Sequence, residues 1–165
     1  MDQEALLAHL TDALERITAP RLYETERGFQ GALLAELHKT IPGQLLPDGT
    51  VIEQEYQKRL HMHGLTIRPD IIIHEPFDEA RHKSRQEGNI AVIELKHAAS
   101  QKDASDDFES LAKMMEALAY PMAAFINIAS ETTHAALVPE NWKGRIACFA
   151  VFLRNGQAHV IREPA

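Results

Sequence analysis

A single cysteine, Cys148, occurs in the 165 residues, so no intrachain disulfide can form and a reducing compartment suits the chain. No apolar run approaches the roughly 20 residues needed to cross a bilayer, and no membrane partner is expected. The opening segment MDQEALLAHL is acidic and lacks a basic n-region; it is not read as a signal peptide, and the expected location is cytoplasmic. Internal repeats, low-complexity tracts and long linkers are missing as well. Positive charge is scarce: 17 Lys and Arg against 24 Asp and Glu give a net charge of −7 with the nine histidines neutral. Duplex binding rests largely on cations that neutralise phosphates, so tight, metal-independent DNA binding by this chain alone is not expected. Acids gathered at a metal site are another matter, because a bound ion reverses the local field.

What is present is ordinary for a globular protein. Hydrophobic residues make up 45% and charged residues 25%, in a chain long enough to bury a sizeable core in one domain. Residues 3–18 have the apolar spacing of an amphipathic helix (Leu6, Leu7, Leu10, Leu14, Ile17), and Pro20 ends it. A second helix runs from Thr25, its N-cap, to about 40, with Phe29, Leu33 and Leu37 as its stripe. The segment IPGQLLPDGT, with two prolines and two glycines, is a loop. The period then changes. Residues 51–59 and 65–74 read as two strands joined by a turn at 61–64, a hairpin whose second strand ends in Ile71, Ile72 and Ile73. Residues 75–89 are polar without a usable period, and 90–96 read as a central strand rich in branched residues.

Asp106 or Asp107 then caps a third helix that reaches Tyr120, with Phe108, Leu111, Met115 and Leu118 on its apolar side. Strands follow at 123–129 and 146–154, and 157–161 pairs back across the Asn155-Gly156 turn. The expected order is ααβββαβββ. Its class is α/β (α+β), a mixed central sheet flanked by helices.

Two places in this pattern carry charge where apolar residues are expected. Glu94 and Lys96 lie on a strand otherwise built from Ile90, Val92 and Ile93, and alternation points both to one face while Leu95 points to the other. Asp70 stands just before the three isoleucines. Charged groups in such places are expensive to bury unless paired or metal-bound. If the two strands are neighbours, two carboxylates and an ammonium converge. Two carboxylates with few other ligands suit Mg²⁺, which keeps several waters. Such an ion polarises a phosphoryl oxygen and acidifies water, and a nearby lysine stabilises charge developing on phosphorus. The bland alternative is a structural salt-bridge cluster.

RPDIII at 68–73 followed by IELK at 93–96 resembles the signature of the PD-(D/E)xK nuclease superfamily. That superfamily has the restriction-endonuclease-like fold and includes many restriction endonucleases, Holliday-junction resolvases and repair nucleases. The resemblance spans roughly 24–130 as a catalytic core, with 1–20 as an added N-terminal helix and 131–165 as C-terminal strands of one domain. It implies that Asp70 and Glu94 ligate Mg²⁺, or Mn²⁺ in its place, that the carbonyl of Leu95 assists, and that Lys96 serves the nucleophilic water. It also implies hydrolytic cutting of DNA that leaves a 5′-phosphate. One departure from the family's pattern is the 23 residues between Asp70 and Glu94, which hold the loop 75–89; the family tolerates variable spacing here.

The family places a further acid on the helix before the hairpin, where Glu26 and Glu36 compete. Glu26, Phe29, Gln30, Leu33 and Leu37 share one helical face, which favours Glu26, with Gln30 as its hydrogen-bonding neighbour. The alternative role of Glu26 is that of a first-turn acid facing the helix dipole. Glu53 and Glu55 share a face of the first strand and are supporting candidates, or simply exposed acids. His61 and His63 form an HxH pair, with His74 and His97 unplaced, but a solvated turn is the reading preferred to a Zn²⁺ site. Arg81, Lys83 and Arg85 form the densest basic patch, and Lys102 and Lys113 flank the third helix; these are the candidate phosphate contacts, set against a plain solvated surface. Trp142 and Cys148 read as structural.

The function expected is therefore a Mg²⁺-dependent endonuclease acting on nucleic acid, DNA first. The alternative is a catalytically inactive descendant of that fold that binds nucleic acid or protein. A homodimer or a separate specificity partner is expected because a minimal domain has little surface with which to grip a duplex.

Overall fold

The computed structural model describes residues 2–54 and 67–163. It is an α+β protein in which, among the described residues, three helices flank a six-stranded mixed sheet. Among the described residues the elements run α1 (Gln3–Glu15), α2 (Glu26–Thr40), β1 (Val51–Gln54), β2 (Ile71–His74), β3 (Asn89–His97), α3 (Gln101–Leu118), β4 (Met122–Ile128), β5 (Ile146–Arg154) and β6 (Gln157–Glu163). The strands lie in sequence order across the sheet. β1, β2 and β3 pair antiparallel, β4 joins β3 parallel, β5 joins β4 parallel, and β6 returns antiparallel.

Strand alternation divides the core into two layers. Ile71, Ile73, Ala91, Ile93 and Leu95 face one way, onto a cluster that includes Leu10 and Leu14 of α1 and Phe29, Leu33 and Leu37 of α2. Ile72, Val92, Ala123 and Phe125 face the other way, onto Phe108, Leu111, Met115 and Leu118 of α3. β4 is buried along its whole length, as suits a central strand covered on both faces. Each fully buried Ile or Leu contributes about 1.5–3 kcal/mol. None of the helices is long and apolar enough to cross a membrane, among the described residues.

Caps fix where the helices start, and so where the charged residues fall. Thr25 accepts the N–H of Gly28 at 3.1 Å; a Cβ on Gly28 would sit 2.8 Å from the Thr25 Oγ1, so the cap needs a glycine there. Ser100 and Asp103 form a reciprocal capping box at the head of α3, an arrangement that satisfies two otherwise orphaned N–H groups. This moves the third helix forward from the expected start. Asp106 and Asp107 do not cap it; they lie within it.

Other boundaries shift. α1 stops at Glu15 rather than 18, and a 3₁₀ turn at Pro20–Tyr23 leads into α2. The second hairpin strand begins at Ile71, so Asp70 stands in the irregular segment at its entrance rather than inside it. The expected turn at 61–64, with His61 and His63, and the strand residues 55–59 with Glu55 lie outside the described residues. β6 runs on to Glu163, and two 3₁₀ turns, Ala135–Leu137 and Glu140–Trp142, occupy the connection to β5.

Candidate active site

The register of the β2–β3 pair builds the site. Ile71 lies opposite Ile93, and continuing that antiparallel register by one residue sets Asp70 opposite Glu94. Directly opposed residues share a face. Val92 faces α3, so Glu94 and Lys96, two and four residues further along β3, face it too. The entrance of β2 and the exit of β3 thus bring an acid, a second acid and a lysine to one end of the sheet.

Each carboxyl is held differently. Asp70 Oδ2 accepts the backbone N–H of Leu95 at 2.7 Å, and the Asp70 carbonyl accepts Gln30 Nε2 at 2.7 Å. Gln30 is only 3% exposed, so this hydrogen bond links the buried face of α2 to the start of β2. Burial pushes the Asp70 pKa up; the Leu95 N–H opposes that rise, as does a hydrogen bond shared with Glu94, while the charge of Glu26 adds to it. Glu94 is 8% exposed. Burial drives its carboxyl well above the usual range, and the neighbouring charges of Asp70 and Asp107 push the same way.

Lys96 answers this negative charge. Burial works against its ammonium, but Asp107, Glu26, Asp70 and Glu94 together outweigh burial and raise its pKa. Its ion pair is with Asp107 of α3, Nζ to Oδ2 at 3.6 Å, just beyond hydrogen-bond distance. That Oδ2 is buried and has no hydrogen-bond partner among the described residues. Burial raises the Asp107 carboxyl to about 6; Lys96 opposes the rise, and Asp70 and Glu26 reinforce it.

Glu26 reaches the same region from α2. Its Oε2 accepts the His97 N–H at 3.3 Å, and its charge acts on Asp70, Lys96 and Asp107. Glu36 instead pairs with Lys39 at 2.7 Å. His97 turns away from Lys96, its Nε2 hydrogen-bonded to the Tyr23 carbonyl at 2.8 Å. The site therefore draws on α2, β2, β3 and α3. Sequence reasoning named Glu26, Gln30, Asp70, Glu94, Leu95 and Lys96, which the fold brings together, and missed Asp107 as a member. Its signal was the Ser100–Asp103 spacing of a capping box, which puts residue 107 on the stripe of Ala104, Phe108 and Leu111.

Other candidates sit elsewhere. Glu53 hydrogen-bonds buried His74 at 3.0 Å. Arg81, Lys83 and Arg85 occupy the connection between the end of β2 and the start of β3, so β3 separates them from the site by roughly 20 Å at the usual strand rise. There Arg81 pairs with Glu75 at 2.7 Å and Asp78 at 3.3 Å, and Arg85 covers the Phe77 ring. Lys102 pairs with Asp106, and Lys113 stands 4.0 Å from Glu109. Cys148 is buried, and burial pushes its thiol up to about 12, which makes it a poor nucleophile.

The donor set fits a hard divalent cation. Half-buried Asp70 lies beside buried Glu94 and its charge raises the proton affinity of Glu94, a repulsion that an ion between them removes. Among the described residues, no group of three or more His, Cys, Asp or Glu is placed to hold a metal by itself. An ion here would rest on the Asp70–Glu94 pair and keep water in its other positions, the usual habit of Mg²⁺. Comparison with family models, characterised proteins and solved structures returns no match.

Proposed function

We propose that this site hydrolyses phosphodiester bonds in nucleic acid, DNA first, with Mg²⁺ or Mn²⁺ held by Asp70 and Glu94 and by the carbonyl of Leu95. The observation that carries the reading is the placement of Asp70 opposite Glu94 with Lys96 on the same face of β3. The succession α2–β1–β2–β3–α3–β4 supports it, being the order expected of a restriction-endonuclease-like core.

The ion, when bound, supplies positive charge that polarises a phosphoryl oxygen and acidifies water. The chain's own residues supply the rest. Asp70 is oriented by the Leu95 N–H and by the hydrogen bond from Gln30 to its carbonyl. Lys96, kept charged by the surrounding acids, donates hydrogen bonds to the attacking water or to an equatorial phosphate oxygen. Glu26 adds a negative charge that acts on Lys96 and fixes the end of β3 through the His97 N–H. Water oxygen bonds to phosphorus as the bond to the 3′-oxygen breaks, the water giving up a proton to solvent and the 3′-oxygen taking one from solvent, which leaves a 5′-phosphate and a 3′-hydroxyl.

The grip on a duplex is thin. Net charge is −7, and Arg81, Lys102 and Lys113 stand beside acids of their own segments. A second copy of the chain or a basic partner supplies the remaining phosphate contacts in this reading. The same charge balance favours, as the second reading, an inactive interaction domain.

The test is cleavage of a labelled panel of single-stranded, duplex and branched DNAs and RNAs with Mg²⁺ or Mn²⁺. Wild type is compared with Asp70→Ala, Glu94→Ala and Lys96→Ala, each checked for folding by circular dichroism. Metal-dependent cutting by wild type alone is the expected result. No cutting by wild type, or equal cutting by the variants, overturns the assignment and leaves the interaction domain.

A further inference from the structure

We propose, building on the nuclease reading above, that Asp107 is a positioning residue. It holds the Lys96 ammonium off the Asp70–Glu94 pair and so keeps that pair open to a divalent cation. Lys96 and Glu94 are two residues apart on one face of β3, about 7 Å along the strand. A lysine side chain is long enough to fold back onto either carboxylate there. Were it to do so, the ammonium would occupy the place a cation needs.

The geometry shows the lysine drawn elsewhere. Its ion pair is with Asp107, at 3.6 Å, with the lysine side chain 34% exposed and the aspartate 17%. Asp107 comes from α3, whose neighbouring residues Ala104, Phe108 and Leu111 are fully buried, so its backbone is fixed against the sheet. Its Oδ2 is buried without a hydrogen-bond donor among the described residues. A buried carboxylate in that state relies on a nearby opposite charge, and Lys96 supplies it. The attraction is mutual, and it aligns the ammonium between helix and sheet, beside the carboxylate pair instead of across it.

A double-mutant cycle tests this. Mn²⁺ affinity is measured by electron paramagnetic resonance of the free ion for wild type, Asp107→Asn, Lys96→Ala and the double variant. If Asp107 acts through Lys96, Asp107→Asn weakens Mn²⁺ binding by about tenfold in the wild-type background and by less than about twofold beside Lys96→Ala. An equal loss in both backgrounds shows that only the charge of Asp107 matters and overturns the proposal. A crystal structure of metal-free Asp107→Asn supplies a readout independent of any cation. Lys96 Nζ is expected within hydrogen-bond distance of Asp70 or Glu94, and an unmoved ammonium overturns the proposal. Should wild type neither bind Mn²⁺ nor cut nucleic acid, the nuclease reading fails, and the position of Lys96 in that crystal alone decides the role of Asp107. Asp107→Ser serves the same cycle if the Asn variant fails to fold.

Discussion

The side chain of Asp70 accepts the backbone N–H of Leu95 at 2.7 Å, which ties the entrance of β2 to the residue between Glu94 and Lys96. One hydrogen bond thus sets the spacing of all three charged groups. It also engages Oδ2 of Asp70 with the backbone. The arrangement is costly without an ion, because burial opposes ionisation of Glu94 and the charges of Asp70 and Asp107 add to that.

That cost predicts a trade between stability and activity. Glu94→Gln removes a carboxyl whose ionisation burial and its neighbours oppose, while keeping the side chain's volume. In EDTA at neutral pH it raises the unfolding free energy by on the order of 1 kcal/mol, and it abolishes metal-dependent cleavage. Urea denaturation of both proteins checks the first part. A Glu94→Gln variant less stable than wild type would show that the Glu94 carboxyl is not under strain.

Stability should also depend on pH with a sign fixed by Asp107. Its carboxyl rises from 3.8 to about 6 in the folded protein, so between those values the folded state holds a proton that the unfolded chain has lost. Folding is therefore favoured at the acid end of the window and loses that contribution as pH rises through about 6. Asp107→Asn removes the dependence. Relative to wild type, its stability in EDTA should increase by about 1–2 kcal/mol between pH 4 and pH 7, once solvent screening is allowed for. Chemical denaturation at several pH values measures the difference. Mg²⁺ acts in the opposite sense on wild type: at a hundred times its Kd it adds about 2.7 kcal/mol, and Asp70→Asn or Glu94→Gln loses that gain.

Much of the site could be read from the sequence because charge on an apolar strand is conspicuous. Glu94 and Lys96 interrupt a branched, hydrophobic run, Asp70 stands at the head of another, and alternation alone assigns Glu94 and Lys96 to a shared face. The mixed sheet between helices was legible for the same reason, since apolar period switches from helical to strand spacing at about residue 51. Asp107 was missed because, with Asp106, it reads as a start of the third helix, and only the reciprocal bonding of Ser100 with Asp103 moves that start forward. The left-handed backbone of Ala98, Ala119 and Ala129 (φ 46, 54 and 56°) had no signal, since alanine rarely takes it. Where β3 and β4 end is set by ladder bonds from Ala98 to Ile128 and from Ala129 to Val151, long-range pairings that local sequence does not encode.

Ala119 offers a stability prediction away from the site. It closes α3 in the left-handed region with φ 54°, a conformation that costs a residue with a Cβ roughly 1 kcal/mol or more and costs glycine almost nothing. Ala119→Gly should raise the unfolding free energy by about 0.5–1 kcal/mol, offset in part by glycine's freer unfolded chain, with cleavage unchanged. Thermal unfolding of the two proteins is the check, and a lower melting temperature would contradict it.

Gln30 tests whether α2 positions the metal-side carboxyl or merely packs. Its amide donates to the Asp70 carbonyl at 2.7 Å from a nearly closed environment, so Gln30→Ala leaves a buried acceptor without its donor and opens a small void. The expected loss of stability is about 1–3 kcal/mol. Packing alone would stop there. If the bond also fixes the entrance of β2, Asp70 loses its alignment with Leu95 and Glu94, and Mn²⁺ affinity falls together with the cleavage rate. Gln30→Leu separates the two contributions, since it fills most of the void and restores none of the hydrogen bonding. Stability that recovers in the Leu variant while Mn²⁺ affinity stays low would assign Gln30 to orienting Asp70. Recovery of both would reduce it to a packing residue and leave the support of that carboxyl to the Leu95 N–H and Glu94.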